Sequence, residues 1–225
     1  MATSIVQICN TALARIGVSN FIDSINEASQ EAQVCKLLYE QCRDRVLREA
    51  HWPFARAYAT LALVSDNEGK PWANEWQYAY RYPTDAMVVW RILTPLGPRQ
   101  AIAEPFDVGY DSTGRMIFTN MKDAAIEYTK RVEDVAQFDP SFSSALAWLL
   151  AAEISMPLSA VDALRKQALQ MYQAERDMAH RISFNEGEPT RDIDTEFLNT
   201  RGYASNTFAG DDAVSKLFPS GFSVS

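Results

Sequence analysis

The chain has 225 residues with 21 Lys+Arg against 29 Asp+Glu, a net charge of −8, and it is 47% hydrophobic, 22% charged and 11% aromatic. These proportions belong to a globular protein with material for a sizeable core, and they exclude collagen, coiled-coil rods and wholly disordered chains. The acidic balance argues against a general nucleic-acid binder, which needs a basic surface to neutralise phosphates.

The start, Met1 to Asn10, has no basic region and is broken by polar residues, so it does not read as a secretory signal. No run approaches the ~20 apolar residues of a bilayer span. Ile5, Ile8, Cys9, Ala12, Leu13 and Ile16 recur at helical spacing, and Gly17 supplies a stop. Ser24-Ile-Asn-Glu27 has the spacing of a capping box, which predicts a longer helix from there to about Glu49. Its apolar face is Ala28, Ala32, Cys35, Leu38, Tyr39, Cys42 and Val46, with Arg43, Asp44, Arg48 and Glu49 on a solvated face. His51-Trp-Pro53 ends it, since the residue before proline avoids helical geometry. The three cysteines, an odd count without C-x-x-C, read as buried free thiols suited to a reducing compartment.

Between about Tyr58 and Val132 the period shifts to two. Trp76 to Tyr82, Met87 to Leu93, Val108 to Tyr110, Arg115 to Phe118 and Ala124 to Val132 read as strands, with Asp111-Ser-Thr-Gly114 as a turn. The expectation is one small, mostly antiparallel sheet inserted between helices. Helix returns at Asp139-Pro140, which suit N-cap and first-turn positions. Phe142, Ala145, Leu146, Leu149, Ala152 and Met156 form its buried stripe, and Pro157 ends it. A last helix opens at Ser159 to Asp162, with Val161, Leu164, Ala168, Met171, Glu175, Met178 and Ile182 as a core seam. Glu175 reads as a charge at the seam's edge or one paired across helices.

Residues 186–225 lose the periodicity. Seven acids and three bases give −4, half the total charge, yet Ile193, Phe197, Leu198, Tyr203, Phe208, Val214, Leu217, Phe218 and Phe222 are scattered among Gly, Ser and Asn. Solvated tails are poor in aromatics. Docking as an extended arm on another chain is therefore preferred to packing on its own domain.

No nucleophile elbow, phosphate loop, dinucleotide fingerprint or H-E-x-x-H occurs, and neither a cofactor nor a metal set is indicated. His51 and His180 read as capping or partly buried groups. Glu127 with Glu133 or Asp134 is a weak glycosidase pair among 29 acids. The ladder Trp76, Tyr78, Tyr80, Tyr82 could stack on a sugar, but a half-buried sheet face packed on the helices explains it with fewer assumptions. Arg81, Lys130 and Arg131 read as solvated strand-edge charges. No catalytic site emerges, so the chain is not expected to be an enzyme.

Several strings fall in a recognisable order: Ile8-Cys-Asn-Thr-Ala-Leu-Ala-Arg-Ile-Gly17, Trp52-Pro-Phe-Ala55, Tyr80-Arg-Tyr-Pro-Thr-Asp85, Tyr128-Thr-Lys-Arg-Val-Glu-Asp134, Phe138-Asp-Pro-Ser-Phe142, Ala145-Leu-Ala-Trp-Leu-Leu-Ala-Ala-Glu153 and Pro157-Leu158. With them the chain, over residues 1 to about 185, resembles the tail tubular protein A family, the head-to-tail adaptors of short-tailed bacteriophages. The resemblance implies an α+β fold: an antiparallel helical bundle (1–54 and 136–185) with an inserted, mostly antiparallel β domain (55–135), followed by an extended C-terminal arm (186–225). It further implies a homo-oligomeric, dodecameric ring in the virion, assembled in the host cytoplasm and seated between the portal protein and the tail nozzle or tail-tube protein. Double-stranded DNA would pass through its lumen without specific binding, and no membrane is involved. By position, the arm would reach the portal, with Phe197, Leu198, Tyr203, Phe208, Leu217 and Phe218 as its anchors. The sheet region would face the tail, with Trp76, Tyr78, Tyr80 and Arg81 as its candidate surface. Two other readings stand beside it: a carbohydrate-binding or polysaccharide-degrading tail module, and a neck or head-completion protein of a long-tailed or contractile phage.

Overall fold

The computed structural model describes residues 4–66, 72, 74–94 and 103–187. It is an α+β protein in which four helices hold an inserted antiparallel β region. Helix α1 spans Ile5–Arg15, with the Ser4 side chain accepting from the Gln7 amide, and the chain reverses at Gly17 in left-handed geometry (φ 77°). Helix α2 spans Gln30–Glu49 and starts later than the capping-box spacing predicts. The N-cap is Ser29, whose hydroxyl accepts from the Ala32 amide. Glu27 instead closes a turn, accepting from the Asp23 and Ser24 amides and from the Ser29 hydroxyl.

Helix α3 (Pro140–Ser159) is capped by Asp139, as its Asp-Pro start predicts. It packs against α1, α2 and α4 and is buried on most of its circumference. That central position explains its composition. Among the described residues it is the one helix long and apolar enough to cross a membrane, and more than half of that stretch is buried inside the protein, so the expectation that no run approaches a span is corrected by length and apolarity alone. Pro157 does not end it. The helix continues through the proline to Ser159 and stops at Ala160 in left-handed geometry (φ 54°), while Met156 is exposed rather than part of the buried stripe.

Helix α4 spans Asp162–Gly187. Its seam agrees with the expected one at Ala168 and departs from it elsewhere: Tyr172 and Ala179 are buried, whereas Val161 before the helix and Met171, Met178 and Ile182 within it are exposed. The helix is rotated so that the Tyr172 hydroxyl reaches Glu49 of α2 (2.7 Å), with Arg176 on the same carboxylate (3.2 Å).

The β region contains two sheets rather than one. Strands β1 (Arg56–Thr60), β7 (Ala125–Lys130) and β4 (Ala86–Leu93) form the first in that order. Strands β2 (Leu63–Asp66), β3 (Tyr78–Arg81), β6 (Gly114–Thr119) and β5 (Phe106–Asp111) form the second. Every pairing is antiparallel. Strands β1 and β2 were not foreseen because Ala57, Ala59 and Ala62 dilute the alternation there.

Buried apolar side chains fall into separate clusters. The bundle's cluster takes residues from all four helices plus Trp52, Ala55, Val132 and Phe138. A second lies between the sheets, with Tyr80, Ile92, Ile117, Ile126 and Tyr128. A small third one, Ala79, Met116 and Phe118 with Trp72 and Trp76 against it, occupies the other face of the second sheet.

Candidate functional site

The candidate tail-facing residues do not share one surface. Even-numbered side chains of β3 point toward the first sheet, so Tyr80 is only 2% exposed, donates to the Met121 carbonyl (2.9 Å) and belongs to the core between the sheets. Tyr78 and Tyr82 join the same cluster. The aromatic ladder is therefore buried against the other sheet, not against the helices as expected. Trp76 precedes the strand in a turn, its amide bonded to the Trp72 carbonyl, and lies half-buried on the opposite face. Arg81 points to that opposite face and is not a free edge charge. It forms a two-pronged pair with Asp111 (both contacts 3.2 Å), and this hydrogen bonding, with that of Thr113, holds the Asp111 carboxyl well below the usual range. Lys130 is exposed.

Where the bundle meets the β region, two charged groups stand out that composition did not reveal. In the first, the Glu127 carboxylate, 3% exposed on β7, is met by Arg91 Nε of β4 (2.6 Å), His51 Nε2 after α2 (3.2 Å) and Arg56 Nε of β1 (3.3 Å). Trp90 sets its ring perpendicular to His51 at 4.9 Å and donates Nε1–H to Thr129 Oγ1 (2.7 Å). Burial pushes the His51 imidazole down, with Arg56 adding to the effect and Glu127 opposing it. Glu127 is thus committed to three cationic or hydrogen-bonding neighbours. Glu133, its partner in the weak glycosidase pair, belongs to the second group.

In that second group Asp44 of α2 takes Arg131 Nη2 (2.8 Å) and Arg43 Nη2 (2.9 Å), and Glu133 lies 3.5 Å from Arg131 and 3.9 Å from Arg43. Arg43 is 4% exposed, which corrects its expected place on a solvated face. Charge alone said "surface"; the Asp44 and Glu133 carboxylates are what make burial tolerable.

Across the bundle, Glu175 accepts from Ser144 Oγ (3.0 Å), which also receives Arg15 Nη2 (3.2 Å), while Arg15 stacks 4.0 Å over Trp148. This is the interhelical pairing expected of Glu175. An open cleft of about 260 Å³ lies beside it between α1 and α3, lined by Gln7, Thr11, Arg15 and Ser143 among others. The lining carries one cation and no carboxylate or imidazole, so it offers hydrogen bonds but no acid–base pair.

Cys9, Cys35 and Cys42 are buried and free. Burial pushes the Cys42 thiol up to about 12, and the hydrogen bond between Cys9 and Cys35, with burial, pushes Cys9 up while the same bond pulls Cys35 down. The raised Cys9 and Cys42 thiols are poor nucleophiles, and burial closes Cys35 off from solvent. Among the described residues no group of three or more His, Cys, Asp or Glu is placed to hold a metal. The proposed arm anchors Phe197, Leu198, Tyr203, Phe208, Leu217 and Phe218 lie outside the described residues. The exposed row Met171, Met178 and Ile182 on α4 is the surface feature that sequence reasoning placed inside. No protein-family model and no curated protein matches this chain.

Proposed function

We propose that the chain is a structural head-to-tail adaptor of a bacteriophage, forming a dodecameric ring in the virion between the portal protein and the tail nozzle or tube, through which the genome passes. The observation that carries this reading is the ordered set of strings shared in kind with tail tubular protein A, which fall where the α+β framework is made. Trp52-Pro-Phe-Ala55 forms the exit from the bundle, with Trp52 donating Nε1–H to the Val46 carbonyl (2.8 Å). Tyr82-Pro-Thr-Asp85 turns β3 into β4, and Phe138-Asp-Pro-Ser-Phe142 starts α3, with Phe138 and Phe142 rings 4.7 Å apart. The uncovered apolar row on α4 supports the reading, because a ring subunit must present faces that only neighbours bury. In this reading the arm, 186–225, docks on the portal, and its aromatics supply the anchoring energy.

Electron microscopy of the protein mixed with its portal tests the proposal. The expected particle is a portal with a twelve-fold ring beneath it, and truncation after Gly187 leaves a folded protein that no longer joins the portal. A ring seated instead on a long or contractile tail's neck would move the protein to the head-completion class. A saccharide platform on the aromatic ladder is disfavoured by the burial of Tyr80 and Tyr82 between the sheets.

A further inference from the structure

Among the described residues, no cluster of buried apolar side chains spans the bundle and the β region. The chain crosses between them twice. At each crossing an apolar residue, Ala55 on the way out and Val132 on the way back, inserts into the bundle's core. On the bundle side the pegs sit among aromatic rings, Phe54 packing on Phe138 (5.8 Å) and Phe142 (5.0 Å), while the side-chain contacts that reach from the bundle to the strands are largely charged. His51, at the end of α2, reaches Glu127 of β7 and the Trp90 ring of β4. Asp44 and Arg43, about two turns earlier on α2, hold Arg131 and Glu133 just beyond β7.

A core fixes one arrangement, because packing is close and any rotation opens voids. Ion pairs of long side chains tolerate small rotations and are released by neutralisation or screening. We infer that the β region is carried on the bundle as a lever, pivoting about the Ala55 and Val132 pegs and latched by the Glu127 and Asp44 charge groups. The two groups differ in their response to salt. Asp44, Arg131 and Glu133 are partly exposed and open to screening, whereas Glu127 is enclosed and is released only by loss of its charge. This inference stands on the junction alone and holds whether or not the adaptor reading does.

The test is a spin-label distance between Ser112→Cys, at the β5–β6 turn, and Gln170→Cys, on α4, in the full chain. Both sites are exposed, and the native thiols are buried, so the parent chain takes up no label. At about 0.1 M salt one narrow distance distribution is expected. Raising salt to about 1 M, which shortens the screening length from about 10 Å to about 3 Å, broadens it or adds a second population. Asp44→Asn does the same at low salt, and Glu127→Gln does so at either salt. Hydrogen exchange in the same samples keeps α3, β6 and β7 protected while the crossing segments 51–55 and 131–134 exchange faster. An unchanged distribution in both variants and at high salt overturns the inference. Loss of protection in α3 and β6 together with the junction overturns it too, because the charges would then hold the fold and not a pivot.

Discussion

His51 and Glu127 show how one carboxylate can govern several neighbours. The Nδ1 of His51 lies 3.4 Å from Arg56 Nη2 and its Nε2 faces Glu127, an arrangement that suits the neutral ring donating to the carboxylate. Protonation at Nδ1 would set a second cation against Arg56, with Arg91 already on the same Glu127 and His180 also felt from α4. The folded-state pKa is depressed, so the stability tied to the neutral ring is present above the unfolded value of about 6.5 and is lost as pH falls through the folded one. Denaturant midpoints should therefore fall between about pH 7.5 and pH 5.5 by more in the parent than in His51→Gln, which keeps a donor for Glu127. Equal losses in the two proteins would remove His51 from the account. Glu127→Gln at pH 7.5 should cost about 2–3 kcal/mol in urea unfolding, less than a wholly enclosed pair because Arg91 and Arg56 are partly exposed. A second residue-level constraint sits at Gly109 of β5, where a Cβ would collide with the Phe118 ring on β6. Gly109→Ala should lower stability by about 1–3 kcal/mol, and Gly109→Ala with Phe118→Leu should recover part of that loss.

The helices show what periodicity can and cannot resolve. In α1, and in α3 apart from Met156, the apolar stripe lies where the burial is, and Asp139 caps α3 through a 2.7 Å bond, so Asp139→Ala should cost about 1 kcal/mol in thermal unfolding. In α4 two stripes have helical spacing, Leu164-Ala168-Tyr172-Ala179 and Met171-Met178-Ile182, and spacing alone does not choose between them. The choice is made by a tertiary contact invisible in the sequence, the Tyr172 hydroxyl on Glu49, and by the small residues that let α4 lie close to α3. The expected seam starts on the buried stripe at Leu164 and Ala168 and leaves it at Met171 for the exposed one. Strand alternation was legible in β3 to β7, but the division into two sheets was not, because it depends on which edges pair. The charged groups at the junction were missed for a related reason, since Arg43 and Asp44 read as solvated until Arg131 and Glu133 are folded onto them. The exposed stripe now bears a prediction of its own. Met178→Arg, at a side chain 60% exposed, should leave the monomer's unfolding free energy within about 0.5 kcal/mol and, under the proposed adaptor function, abolish ring assembly on the portal. Intact rings carrying that variant would place the subunit contact on another face.

At the scale of the whole molecule the charge acquires a distribution. Of the net −8, residues 186–225 hold −4, so the remainder of the chain contributes the other half. Many acids of that remainder are spent on partners: Asp44, Glu49, Asp111, Glu127, Glu133, Glu153, Asp162 and Asp177 each face an Arg, Lys or His within 4 Å. Paired charges cancel at a distance, and the field far from the surface follows the net charge. A channel built from twelve such subunits would therefore be acidic on balance, and a DNA duplex inside it would meet no sustained basic track. Sliding without sticking requires that weakness, because each neutralised phosphate adds salt-dependent affinity. Under the proposed adaptor function, the assembled ring should accordingly fail to retain linear duplex DNA in a filter-binding assay at about 0.1 M salt. The same ring truncated after Gly187 should also fail, since the rest of the chain stays acidic without the arm. Retention that appears on truncation and fades with rising salt would show that the arm masks a basic lumen, and the passive-conduit account would then give way to one in which the channel grips the genome.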